Sequence, residues 1–196
     1  MNSQNKSQNG NQPNSQNEKD NLVQKRYPIG SFEMPESITD PETDVSIQVL
    51  KEFPARLRQL VENLNDEQLD TQYREKGWTV RQLVNHIADS HMNSFIRCKL
   101  ALTENNPTIK PYNEALWAEL QDSISISIQP ALQLLEGLHA RWVHELKALT
   151  NLELQSSFFH PEQNRSITLR EHVAFYAWHC EHHAAHIQNL ITERNW

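Results

Sequence analysis

The sequence predicts an all-α protein: a four-helix bundle preceded by a disordered N-terminal tail. Three observations carry that expectation. Glycine is scarce, with four in 196 residues. Apolar residues recur at spacings of three and four, the helical period. Strand-like alternation is nearly absent. Its one instance, Ile124-Ser-Ile-Ser-Ile128, reads as a linker ahead of Pro130.

The elements follow in order. Residues 1–21 are almost wholly Asn, Gln, Ser and charge, with no apolar anchor, so they read as a disordered tail. Residues 22–196 are expected to form the bundle. The first helix is expected from Asp40-Pro41, with Asp40 as N-cap and Pro41 at the first helical position. Its apolar stripe is Val45, Val49, Phe53, Leu57, Leu60 and Leu64, and Pro54 inside it should kink or divide the helix. The second helix opens on Thr79-Val-Arg-Gln82, which has the form of a capping box, and runs to about Thr103. A shorter segment covers 113–120. The third long helix runs from about Pro130 to Leu149. The last opens on a second capping box, Thr168-Leu-Arg-Glu171, and runs to about Glu193. Four long amphipathic segments with longer middle connections make a four-helix bundle.

The formal net charge of −7 argues against general nucleic-acid binding, which rests on a basic footprint. No apolar run is long enough to predict a membrane span, and no apolar signal segment stands at the front. The two cysteines, Cys98 and Cys180, sit inside helical patterns, which suits a reducing compartment. A cytoplasmic protein is expected.

The chemistry concentrates in Trp178–Ile187, which holds His179, His182, His183 and His186. Two i,i+4 pairs result, His179/His183 and His182/His186. With His179 set to zero on a helical wheel, His183 falls near about +40°, His186 near −20° and His182 near −60°. The apolar residues of the helix occupy the positive side. Arg170, Glu181, Gln188 and Thr192 lie opposite and mark the solvent face. His179 and His183 are therefore nearest the bundle interior, with the other pair at its edge.

Two histidines one turn apart can converge their ring nitrogens on one metal ion. A third ligand must come from elsewhere, and His86 on the second helix is the best placed. It flanks the buried stripe of that helix. Ser90, Asn93 and Arg97 continue a polar seam along the interior edge, and buried polar seams are costly unless they form a site or a network. His91, His139, His144, His160 and His172 read as structural or surface groups.

Tyr27-Pro-Ile-Gly30, Gly77-Trp-Thr-Val-Arg-Gln82, His86-Ile-Ala-Asp-Ser-His-Met-Asn93 and Trp178–Ile187 carry a family resemblance. The chain resembles the DinB/YfiT-like superfamily, and within it the metal-dependent hydrolases of bacilli. The resemblance runs from about Tyr27 to Trp196. In the wider superfamily the last helix often reads H-x-x-H-H-x-x-Q. That register gives His179, His182 and His183 here, with His186 at the Gln position. The resemblance implies a bundle that holds one divalent ion on His86, His179 and His183, in a homodimer.

Three imidazoles leave a divalent ion with an open position, which favours catalysis over a closed structural site. Bound water then has a pKa near about 7, and the ion polarises a carbonyl. Zn²⁺ and Ni²⁺ both suit three nitrogens. Asp89, one turn from His86, is the candidate partner that orients a ligand. Asn93 and Arg97 are candidate anchors for a substrate carboxylate, and His182 and His186 line the edge of the pocket. No residue is assigned as general base. The expected function is metal-dependent hydrolysis of a small-molecule substrate. The superfamily also includes thiol S-transferases, so transfer of a bacillithiol-type thiol to an electrophile is the alternative. A non-catalytic, metal-stabilised dimer module is a third reading.

Overall fold

The computed structural model describes residues 23–196, so the tail expected at 1–21 lies outside the described residues. The helices are α1 (Asp40–Val61), α2 (Asp66–Leu69), α3 (Val80–Thr103), α4 (Glu114–Trp117), α5 (Gln121–Ile124), α6 (Gln129–Ala148) and α7 (Leu169–Arg194). Two strands, β1 (Ser157–His160) and β2 (Arg165–Thr168), precede α7.

Three of the four long helices open on a capping box. In α3 and α7 the boxes are the expected pairs, Thr79 with Gln82 and Thr168 with Glu171. In α1 the cap is Thr39, one residue earlier than expected. The Thr39 amide donates to the Glu42 carboxylate at 2.7 Å, and the Glu42 amide donates back to the Thr39 hydroxyl at 3.4 Å. Asp40 has no acidic or amide partner three residues on, so the reciprocal box selects Thr39. Asp40 instead pairs with Arg170 at 2.8 Å.

Pro54 does not divide α1, which runs unbroken to Val61 with Pro54 buried. The inward face of α1 is Ile47, Leu50, Phe53, Leu57 and Val61, while Val45 is 65% exposed. The expected stripe holds at Phe53 and Leu57, with Val49, Leu60 and Leu64 packed at the edge of the core, and fails only at Val45. Arg170, placed on the solvent face by the wheel, is buried. It sits in the first turn of α7, where Ile38, Thr43 and Asn151 give its guanidinium acceptors at 3.2, 3.0 and 3.0 Å.

Helix α1 packs against α6 and α7, and α3 packs against the same two. The four helices thus form a ring in the order α1, α6, α3, α7, around a core whose largest fully buried side chains are Trp142, Phe53 and Phe158. The β1–β2 hairpin is antiparallel, with Ser157 opposite Thr168 and His160 opposite Arg165. The sequence pattern did not show it, because each strand has four residues, too few for alternation to register. Asn164 takes the left-handed conformation in its turn, at φ 50°. The hairpin feeds Thr168 directly into α7 as its cap, and His160 at the end of β1 lines a cavity beside α3 and α7. The amides of Ile109 and Phe159 tie the segment after α3 to β1 at 3.1 and 2.9 Å.

Candidate metal centre

Helix α7 buries all four of its clustered histidines, with exposures of 4–8%. The i,i+4 spacing brings His183 Nε2 to 3.1 Å from His179 Nε2. The second pair repeats this, with His186 Nε2 at 3.2 Å from His182 Nε2. Only the first pair gains a third member. His86 of α3 presents a ring nitrogen so that one nitrogen from each of His86, His179 and His183 lies within 4.8 Å of the others. Among the described residues no other group of three His, Cys, Asp or Glu converges this way.

His86 owes its place to the start of its helix. The capping box at Thr79 fixes the first turn of α3, and Trp78, just outside it, packs on the His86 ring at a centroid distance of 4.5 Å. His182 and His186 have aromatic neighbours instead. Trp178 stacks on His182 at 4.5 Å, and Tyr73 lies 4.3 Å from His186. They are as buried as the first pair and, against expectation, line neither cavity near the cluster.

Burial lowers the pKa of His86 to about 4. It pushes His179 and His183 well below the usual histidine range, with neighbouring imidazoles adding to the shift. All three are neutral at pH 7, the state in which a histidine offers a lone pair to a metal. Nitrogens bound to one tetrahedral ion at 2.0–2.1 Å stand roughly 3.3 Å apart. The His179–His183 separation is close to that value, and His183 Nδ1 has no hydrogen-bond partner. The donor set fits a divalent ion that prefers nitrogen ligands.

His179 is held from behind by a chain of rings. His91 Nε2 lies 3.1 Å from His179 Nδ1, His91 Nδ1 lies 2.7 Å from His139 Nε2, and His139 Nδ1 lies 2.6 Å from the Leu50 carbonyl oxygen. The chain visits α1, α6, α3 and α7 in turn. Its direction follows from its first member. A carbonyl only accepts, so His139 Nδ1 carries a hydrogen, and in a neutral ring Nε2 is then an acceptor. His91 therefore donates from Nδ1, and His179 donates from Nδ1 to His91. The His179 Nε2 lone pair is left facing His86 and His183. His183 has no such anchor behind it: its Nδ1 has no partner, and without an ion its Nε2 donates to the His179 Nε2 lone pair at 3.1 Å.

A cavity of about 260 Å³ opens onto this cluster and is lined by His86, His179, Ser90, Tyr112 and Arg97. Ser90 Oγ stands 3.5 Å from His179 Nε2 and 3.2 Å from the Tyr176 hydroxyl. A second cavity of about 220 Å³ adjoins the first, with Arg97, His160, Phe175 and Tyr176 lining both.

The profile of the DinB superfamily matches residues 50–187, well over half the chain. The chain belongs to the DinB superfamily. It is 49% identical over 170 residues to "Putative metal-dependent hydrolase YfiT" of Bacillus subtilis, covering 87% of this chain and 96% of that one. It is 45% identical over 174 residues to a protein of the same description from Oceanobacillus iheyensis, covering 89% of this chain and all of that one. Among solved structures it is similar to YfiT from Bacillus subtilis, described as a probable metal-dependent hydrolase with an unusual four-helix bundle topology. That match has a TM-score of 0.86 and 49% identity, and covers 89% of this chain and 99% of that one.

On the DinB bundle of this chain, the other expected site residues fall in three places. Arg97 reaches the cavity. Asn93 donates from its side-chain amide to the Asp89 backbone carbonyl at 2.8 Å and lines neither cavity. The Asp89 carboxyl makes no hydrogen bond to the three rings; burial and nearby Asp122 raise its pKa to about 6. The group that orients a ring is His91, not Asp89. His91 and His139, expected as structural or surface groups, are buried and hydrogen-bonded into the cluster. Their role depends on which faces of α3 and α6 meet, which no single-helix pattern reveals. His144 is exposed, and His172 bonds Ser94 Oγ at 2.6 Å.

Proposed function

We propose that this DinB-superfamily chain is a metal-dependent hydrolase of a small ester or amide, with a divalent ion, Zn²⁺ or Ni²⁺, held by His86, His179 and His183. The observation that supports the reading is the convergence of three buried, neutral imidazoles, two of which, His86 and His179, line a cavity. Such an ion, when bound on three protein ligands, lowers the pKa of water to about 7 and polarises a carbonyl.

The chain's own residues prepare the site. His91 orients His179, and Trp78 packs His86 in place. Ser90 sets its hydroxyl 3.5 Å from His179 Nε2, where it can hydrogen-bond a water or the oxygen of a bound substrate. Burial raises the Tyr176 pKa, so its phenol stays neutral at pH 7 and donates to the Ser90 backbone carbonyl at 3.2 Å, which fixes the turn that carries Ser90. In the reaction water adds its oxygen to the acyl carbon, the C–O or C–N bond breaks, and the leaving group takes the proton.

The test is a panel of small esters and amides, with a thiol plus an electrophile alongside, run on the protein loaded with Zn²⁺ or Ni²⁺. Metal-dependent hydrolysis lost in His86→Ala supports the reading. Metal-dependent thiol conjugation with no hydrolysis would replace it with S-transfer. Hydrolysis that survives in the chelated protein would sink it.

A further inference from the structure

Two polar side chains at the junction of the cavities have no role in the cluster and no partner of their own. Arg97 lines both cavities, yet makes no ion pair and no side-chain hydrogen bond with any described residue. Arg165, its neighbour in the second cavity, is already held by Glu171 at 2.8 Å. His160 also lines both cavities and is 8% exposed, and its Nδ1 has no hydrogen-bond partner. The half-buried Arg97 guanidinium meets water rather than a protein acceptor, while a buried ring nitrogen without a partner is costly, and satisfied groups are the rule. Side by side in one cavity, they define a place for a ligand that accepts hydrogen bonds. Arg97 is close enough to act on His160: after burial, its charge is the largest influence lowering the His160 pKa.

We infer that Arg97 and His160 form an anion subsite that holds the carboxylate of the substrate, with an apolar body of that substrate lying in the second cavity. The guanidinium fork matches a carboxylate in two parallel hydrogen bonds. The second cavity supplies Phe32, Phe158 and Phe175 as apolar walls, with Phe32 edge-on to Phe175 at 5.3 Å. The rim of the first cavity carries Glu114 and Glu162, both exposed. Those carboxylates disfavour a polyanion and leave room for a singly charged ligand. Arg97 follows His86 by eleven residues, a rise of roughly 16 Å between their α-carbons. Helical side chains lean back toward the N-terminus, so the guanidinium recovers part of that span. The carboxylate is therefore several bonds from the reacting carbonyl. Calling the ligand a substrate rests on the hydrolase reading, while the subsite itself does not.

The experiment separates the two. Binding of 3-phenylpropanoate and of its uncharged methyl ester is measured by NMR titration on the full chain, metal-free and metal-loaded. The metal-free protein is expected to bind the acid at least tenfold more tightly than the ester. Arg97→Gln is expected to abolish that preference, Arg97→Lys to keep part of it, and His160→Ala to weaken it. Thermal melting of each variant checks the fold, and metal affinity of Arg97→Gln is expected to match the wild type. Equal binding of acid and ester, or an undiminished preference in folded Arg97→Gln, overturns the subsite. Preference for the acid in a protein that never hydrolyses an ester or amide keeps the subsite and removes the hydrolase.

Discussion

His91 Nε2 lies 3.1 Å from His179 Nδ1, and this contact sets which nitrogen of His179 faces the cluster. The direction is inherited from the Leu50 carbonyl through His139. Partners that orient a metal-ligating histidine typically change metal affinity by about 10–100-fold when removed. His91→Phe is expected to weaken Zn²⁺ or Ni²⁺ binding by that order, measured by competition with a chelator, although it removes none of the three ring nitrogens. Long-range ¹H–¹⁵N spectra of the metal-free wild type should show His179 and His139 protonated at Nδ1. An Nε2-protonated His179, or unchanged affinity in His91→Phe, contradicts the chain of rings.

The buried histidines give the fold an acid limit. Burial lowers His139 to about 4 and His172 to about 3. In the unfolded chain both titrate near about 6.5. Below that value the unfolded state binds more protons than the folded one, so stability falls as pH falls. The stabilisation is fully present above about pH 6.5 and is lost progressively down to about 3–4, at roughly 1.4 kcal/mol per group per pH unit. The melting temperature of the metal-free protein should drop steeply between pH 7 and pH 5. A flat profile across that range would show that these rings are not buried and neutral.

The capping boxes should be separable from the metal centre. Thr168→Ala removes the hydroxyl that accepts the Glu171 amide at 3.2 Å and is expected to cost about 1 kcal/mol in denaturant unfolding. Metal affinity should hold, because His179 lies about three turns further along α7. A large loss of metal binding would mean that the end of the hairpin, and His160 with it, shapes the cluster directly.

What could be read from the sequence follows one physical line. Local signals were legible: the Thr79–Gln82 and Thr168–Glu171 boxes start α3 and α7 where they were expected. The i,i+4 spacing was legible too, and the wheel ranked His179 and His183 above His182 and His186; it is the first pair that meets His86. Properties of helix pairs were not legible. Whether His91 and His139 are surface or core depends on how α3 and α6 face each other across the ring. Arg170 looked solvent-facing because its acceptors, at Ile38, Thr43 and Asn151, belong to other segments. The hairpin that brings His160 to the cavity was hidden by its four-residue strands.

On the proposed reading, His86, His179 and His183 together hold one divalent ion. The most direct measurement is metal stoichiometry, by elemental analysis after reconstitution and dialysis, on the wild type and on His86→Ala, His179→Ala, His182→Ala and His186→Ala. One ion per chain is expected in the wild type, with loss in His86→Ala and His179→Ala and retention in His182→Ala and His186→Ala. Loss in His182→Ala and His186→Ala with retention in His86→Ala would move the site to the other pair. No stoichiometric ion in the wild type would contradict the metal centre and the hydrolase with it.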